Sequence, residues 1–319
     1  MPEDVHPQVQ ALLDRAQELG LQSLQHLDLA AARAQAEGLA AARRASYPPP
    51  EVHQVENTTT GPGYGHVPVR IYRVSDAADA PVVVYYHGGG HVVCSLETHD
   101  TLARFLALKS GCTLVSVDYR MGPEHPFPAA VEDCYDATRW VADRAEALRV
   151  DPDRLAVCGD SAGANLAAVV ALMARDSGDF SVTAQSLVYP VIDYRGGTAS
   201  YDRYGSGYGS LETETVRWFM ERYLPDPALR DDWRACPANA RLDARLPPAL
   251  VLTAECDVLR DEGAAYAQQL RAAGVDVQYQ NFMGMTHGFM GFLGLVDAAE
   301  QAHVAVASFL NDIWRKTPA

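Results

Sequence analysis

The stretch Cys158-Gly159-Asp160-Ser161-Ala162-Gly163-Ala164-Asn165 sets one serine between two glycines. It lies where the apolar run Leu155 to Cys158 gives way to an alanine-rich segment of helical character, Ala162 to Arg175. Gly-x-Ser-x-Gly at such a junction is the pattern of a sharp strand-to-helix turn that presents its hydroxyl as a nucleophile. The glycines matter because a turn with strained backbone angles has no room for side chains beside the serine. Five residues of this form also arise by chance, so the rest of the chemistry has to be found elsewhere in the chain.

A serine hydroxyl is a weak nucleophile and needs a base, usually an imidazole that a carboxylate orients. In the α/β-hydrolase topology the chain order is Ser, then Asp or Glu, then His. Of ten histidines only His287 and His303 follow Ser161. His303 falls within an amphipathic C-terminal helix, which suits a surface or packing role. His287 sits in Gly284-Met285-Thr286-His287-Gly288-Phe289, just beyond a strand expected to end near Phe282, and is assigned as the base. For the carboxylate, Asp257 follows the strand Ala249 to Ala254, at the sheet edge where α/β sites collect their residues. Glu255, Asp261 and Glu262 compete. Glu255 lies nearer the strand body, and Asp261 and Glu262 suit the first turn of the next helix and its dipole. Asp257 is assigned.

His87-Gly88-Gly89-Gly90 directly follows the apolar strand Val82 to Tyr86. Consecutive glycines leave backbone N–H groups unobstructed and free to take positive φ. Such donors bind the oxyanion of an acyl-transfer intermediate, together with the N–H after the nucleophile, here Ala162. The candidate oxyanion hole is therefore Gly88, Gly89, Gly90 and Ala162. Gly89 and Gly90 are favoured as the inward donors, with Gly88 shaping the turn, although the sequence leaves the choice among the three open.

These residues need a scaffold, and the pattern between them alternates. Val67–Val74, Val82–Tyr86, Leu114–Val117, Leu155–Cys158, Ser186–Tyr189, Ala249–Ala254 and Val275–Phe282 read as strands. Ala129–Ala147, Ala162–Arg175, Gly263–Ala273 and Ala298–Trp314 read as helices. Alternation of this kind calls for an α/β fold, a mostly parallel sheet with helices on both faces. Two pieces stand outside it. Residues 4–45 read as helical, with Leu12, Leu13, Leu19, Leu21, Leu24 and Leu27 as apolar positions, and Pro48-Pro49-Pro50 ends them. An aromatic-rich insertion, roughly 194–232, carries Tyr194, Tyr201, Tyr204, Tyr208, Trp218, Phe219 and Tyr223. It suits a lid over a site, or simple packing onto the core. The expected division is a helical cap from 1–47 and 194–232, with a catalytic core from 48–193 and 233–319.

Composition narrows the partners. A net charge of −15 over 319 residues argues against nucleic acid and anionic membrane surfaces. No apolar run approaches a membrane span, and the acidic start Met1-Pro2-Glu3-Asp4-Val5-His6 lacks the form of a signal peptide. Six cysteines are scattered without a CxxC pair, as expected of reduced, buried thiols in a cytoplasmic protein.

With these residues in place, the chain resembles the hormone-sensitive-lipase-like carboxylesterases, bacterial family IV of the α/β-hydrolase fold. The matches are His87–Gly90, Gly159–Gly163, Asp257 with Arg260-Asp261-Glu262, and His287-Gly288-Phe289. Asp118-Tyr119-Arg120 through Pro123-Glu124-His125-Pro126-Phe127-Pro128-Ala129-Ala130, and Leu246-Pro247-Pro248-Ala249, also match. The departures are Met121-Gly122 for Leu-Ala, Val258 for proline and Ala164 for glycine, which bear on the shape of the substrate pocket. The resemblance implies a serine carboxylesterase acting on short- to medium-chain esters through Ser161, His287 and Asp257, with no metal or cofactor. It implies a homodimer, and gives Asp160 and Glu124 the part of holding the elbow and its neighbouring loops by hydrogen bonds. A ligand-binding relative without catalysis, and a small-amide hydrolase, are the alternatives.

Overall fold

Seven of the sheet's eight strands carry buried side chains on a scale that only a covered sheet allows. In the computed structural model, which describes residues 4–209 and 211–316, the strands are β1 (Gln54–Thr59), β2 (Pro68–Arg73), β3 (Ala80–Tyr86), β4 (Thr113–Val117), β5 (Val150–Asp160), β6 (Ala184–Val188), β7 (Ala249–Cys256) and β8 (Val277–Thr286). Their spatial order is β1-β2-β4-β3-β5-β6-β7-β8. β1 and β2 are antiparallel to their neighbours, and β4 to β8 run parallel. β3, β4 and β6 are buried at nearly every position, because helices cover both faces.

The helices are α1 (Pro7–Glu18), α2 (Leu29–Ser46), α3 (Asp100–Ser110), α4 (Ala129–Asp143), α5 (Ala145–Leu148), α6 (Ala162–Ser177), α7 (Ala199–Tyr204), α8 (Thr213–Tyr223), α9 (Arg260–Ala272) and α10 (Asp297–Trp314). One apolar core lies between the sheet and α4, α6 and α9, with the aromatics of the 194–232 insertion joined to it. The other lies between the sheet and α3 and α10, with Val9 of α1 inserted.

Several elements differ from the sequence expectation. Residues 4–45 are helical as read, but broken into α1, a short 3-10 turn at Leu24–His26 and α2. Gly20 takes a left-handed φ of +64°, leaving Leu19 and Leu21 exposed, and Asp28 caps α2 by accepting the Ala31 N–H at 2.8 Å. Ala129–Ala147 likewise divides into α4 and α5. α3 and β1 were not anticipated. β8 runs on to Thr286, four residues past Phe282, with a register shift against β7 and Gly284 at φ +70°. His287 therefore follows a strand directly rather than riding on a loop.

The N-terminal helices touch both the core and the insertion. The His6 N–H donates to Gly284 O at 2.9 Å, and Asp4 pairs with Arg203. Gln25, in the turn before α2, bonds Glu212 and Thr215 of the insertion. In the insertion, Tyr194, Tyr201, Tyr204, Trp218, Phe219 and Tyr223 are buried, so packing accounts for most of them.

The tightest point of the fold lies where α6 leaves β5. A Cβ on Gly163 would stand 1.9 Å from Tyr86 O, and one on Gly159 would stand 2.3 Å from the Gly163 carbonyl carbon. Both contacts are with backbone, which cannot swing aside. Ala164, where the resemblance implies glycine, lies in the α6-side core and does not interfere. Gly163→Ala should therefore cost about 3 kcal/mol or more, beyond the usual range for an overpacked core. Urea unfolding followed by circular dichroism measures this, and a wild-type midpoint would contradict it.

Candidate active site

The three residues expected to act together emerge from three strand ends on one edge of the sheet. Ser161 directly follows β5, Asp257 follows β7 and His287 follows β8, all at the C-terminal edge of the parallel sheet. Ser161 has φ 56° and ψ −118°, a backbone conformation that non-glycine residues seldom adopt. It is held there from both sides. Its N–H donates to Val188 O at 2.8 Å, and its carbonyl accepts from Ala164, Asn165 and Val191.

His287 Nε2 lies 2.8 Å from Ser161 Oγ, and its Nδ1 lies 2.7 Å from Asp257 Oδ2. The carboxylate can only accept, so Nδ1 carries the proton and Nε2 is left to accept from the serine. Asp257 is 1% exposed, and its other oxygen accepts the Leu259 N–H at 2.9 Å. The Tyr189 ring packs 4.8 Å from the imidazole.

The competing carboxylates are engaged elsewhere. Glu255 accepts the Gly284 N–H at 2.7 Å, bracing the bulge that leads to His287. Asp261 accepts from Ser200 N–H and Arg260. Glu262 accepts from the N–H groups of Ile192 and Asp193, and its burial pushes its pKa well above the ordinary carboxylate value despite those donors. His303 is fully buried, donates toward Ala299 O and meets Phe105 edge-on, so its role is packing.

The glycine loop divides its three N–H groups. That of Gly88 donates to Asp160 Oδ1 at 2.9 Å and is committed to the protein. Among the described residues the N–H groups of Gly89, Gly90 and Ala162 have no acceptor. Gly89 and Gly90 have φ of +114° and +62°. Side chains there would strike Val93 O and the Phe219 ring, so the loop is closed in from behind by its own turn and from above by the insertion. Ala162 opens α6, where unpaired N–H groups and the helix dipole favour negative charge. Gly88, grouped with these donors on sequence grounds, shapes the turn.

Asp160 is the anchor of this loop. Besides Gly88 N–H it accepts Tyr85 OH at 2.7 Å, and His99 Nε2 is 3.3 Å away. Burial alone would raise its pKa, but the charge of His99 and these donors outweigh burial and hold it down at about 2. His87 stacks on Tyr119 at 4.4 Å, and burial with the charge of His99 lowers its pKa to about 4. His91 stacks on Tyr223 at 3.8 Å, and burial and the charge of His87 lower its pKa to about 3. Both imidazoles are neutral structural rings.

Arg33 of α2 was not singled out by the sequence. It forms a bidentate pair with Glu124, 2.7 Å on each arm, and donates to Val92 O and Gly122 O. The Gly122 N–H in turn donates to His91 O. One guanidinium thus ties α2 to the segment that follows the three glycines. No local pattern could reveal it, because the partners are 91 residues apart.

Comparison with known proteins agrees with this arrangement. Residues 83–291 match a family described by the alpha/beta hydrolase fold. The chain is 42% identical over 252 residues to an ethyl acetate hydrolase of Pseudomonas putida, covering 77% of this chain and 79% of that one. It is also 42% identical over 258 residues to the carboxylesterase NlhH of Mycobacterium tuberculosis, covering 79% and 80%. Among solved structures, a hyperthermophilic esterase from the archaeon Pyrobaculum calidifontis superposes with a TM-score of 0.91 at 42% identity, over 98% of this chain and 99% of that one. The chain belongs to the α/β-hydrolase family, within its hormone-sensitive-lipase-like carboxylesterases.

The depressed pKa of Asp160 has a consequence for acid stability. Its ionised form is favoured in the folded state, so it stabilises the protein above the unfolded carboxylate pKa of about 4, by about 2 kcal/mol. That contribution is lost as pH falls from about 4 to about 2. Asp160→Asn should lower stability at pH 7 by a similar amount and flatten the acid limb below pH 5. Chemical unfolding of both proteins across pH 2–7 measures the difference, and parallel curves would refute it.

Proposed function

We propose that this carboxylic ester hydrolase works through a covalent acyl-enzyme, with Ser161 as nucleophile, His287 as general base and then acid, and Asp257 as the carboxylate that orients the imidazole. The unbroken hydrogen-bonded line from Asp257 through His287 to Ser161 carries this proposal. As Ser161 Oγ attacks the ester carbonyl carbon, its proton passes to His287 Nε2. Asp257 stabilises the imidazolium that forms, and the N–H groups of Gly89, Gly90 and Ala162 receive the charge that develops on the carbonyl oxygen. Collapse of this intermediate breaks the acyl C–O bond, and His287 returns the proton to the departing alcohol. Water, activated by the same imidazole, then attacks the acyl-enzyme, releases the acid and restores Ser161.

The strained turn favours this chemistry. Backbone bonds on both sides of Ser161 fix the residue, so its hydroxyl is presented without reorganisation. We take α1, α2 and the 194–232 insertion as the cap over the substrate, and Phe219, poised over Gly90, as one wall of its cleft. The cap and the family resemblance favour short- to medium-chain acyl groups.

Ser161→Ala should lower kcat for p-nitrophenyl butyrate by roughly 10⁵-fold or more and abolish labelling by a fluorophosphonate probe, while melting like the parent. Near-wild-type turnover by the folded variant would overturn the assignment. In an ester series from C2 to C16, activity should peak at the short end and be lost in the longest members.

A further inference from the structure

The sheet ends in the order β5-β6-β7-β8, and Ser161, Asp257 and His287 are the first residues past β5, β7 and β8. The first residue past β6 is Tyr189. Its φ is +35°, rare for a bulky side chain, and the proline that follows narrows its choice of conformation further. Glycine would take this φ at little cost. A large ring is kept there instead, and backbone outliers of this kind gather at functional sites.

The backbone around Tyr189 serves Ser161. Val188 O accepts the Ser161 N–H at 2.8 Å, and the Val191 N–H donates to Ser161 O at 3.4 Å. Between them the Tyr189 N–H donates to Leu252 O of β7 at 2.6 Å. The side chain serves a different residue. Its ring lies 4.8 Å from the His287 imidazole, tilted by 57°, and meets Phe289 edge-on at 5.7 Å. Phe289 in turn packs 4.8 Å from Phe282 of β8. The phenol end lies beside the Met290 N–H, so Tyr189 spans the turn from His287 to Met290. Burial, reinforced by the charges of Asp160 and Asp257, pushes its pKa well above the ordinary phenol value. It therefore presents a ring and no charge.

Hydrogen bonds at both nitrogens hold the imidazole. They fix the axis from Asp257 to Ser161 but restrain rocking about that axis weakly, because a hydrogen bond tolerates some bending. A ring packed against the imidazole opposes that motion, since rocking would drive the two rings together or open a void between them.

We propose that Tyr189 is a positioning residue for the general base, its ring holding the His287 imidazole in line between Asp257 and Ser161 through both proton transfers. This inference rests on the assignment of His287 as base.

Steady-state kinetics on p-nitrophenyl butyrate test it. Tyr189→Leu should lower kcat by about tenfold or more, the scale of a slight misplacement of a reacting group, and leave KM within about twofold. Tyr189→Phe, which keeps the ring, should stay within about threefold of the wild-type kcat. Tyr189→Met refills the space with a flexible apolar chain and should repeat the leucine loss, so the test stands even where the leucine variant does not fold. The decisive measurement is a double-mutant cycle with His287→Ala. Once the imidazole is gone, Tyr189→Leu or Tyr189→Met should change the residual turnover by less than about twofold. Equal losses with and without His287, a loss confined to KM, or wild-type kcat in both ring-deleting variants would overturn the proposal. Equal losses in Tyr189→Phe and Tyr189→Leu would also overturn it, by assigning the effect to the hydroxyl. The cycle separates the two levels. If His287→Ala alone keeps near-wild-type turnover, the base assignment fails; if it is crippled and the cycle is additive, only the role of Tyr189 fails.

Discussion

Helix α6 approaches β3 so closely that the Tyr86 carbonyl oxygen occupies the space where a side chain on Gly163 would begin. Most of the local architecture depends on that contact. It forces the chain to turn from β5 into α6 within one residue, and that residue is Ser161. The rare backbone angles of Ser161 are the geometric result of a helix laid flat against a sheet. They are stabilised by the bonds that β6 and α6 make to the serine's own amide and carbonyl. The same turn leaves the Ala162 N–H facing outward at the start of a helix, where developing negative charge is welcome.

Asp160 links this turn to the glycine loop. The elbow would be correct in itself without the loop, but the free N–H groups of Gly89 and Gly90 would have no fixed place. A single buried carboxylate holds Tyr85, Gly88 and His99 together, so the loop takes its position from the residue preceding Ser161. Arg33 grips the same segment from the far side through Val92 and Gly122. Precision at the site thus comes from a buried polar network on one side and a salt-bridged helix on the other. Each holds the loop by several bonds from one side chain, and multiple bonds of that kind rigidify a structure.

Much of this was legible in the residues. Ser161, Asp257 and His287 stand out because each sits where a strand stops, and strands announce themselves through apolar runs. The parallel sheet followed from alternation alone. The elements that escaped have physical reasons for doing so. β1 is an edge strand with neither face consistently buried, so it carries no apolar alternation. α3 carries helical spacing in Leu102, Phe105 and Leu106, but over only eleven residues, too short a stretch for the periodicity to stand out. The extension of β8 past Phe282 depends on a glycine bulge and on Glu255 across the strand gap. The division of labour among Gly88, Gly89 and Gly90 depends on where Asp160 points. Arg33 has no local signature, since what matters is which distant groups it meets.

The contact between His6 and Gly284 joins nearly the two ends of the described chain. During synthesis α2 meets Val92, Gly122 and Glu124, which follow Arg33 by 59 to 91 residues, but the contact that seats the start of α1 lies on β8. That end of the helical segment must therefore wait, undocked, while more than two hundred residues are added behind it. Contacts of such long sequence separation are slow to form, and their surfaces stay exposed until they do. α1 is thus made long before the strand it rests on and is among the later elements to be set in place.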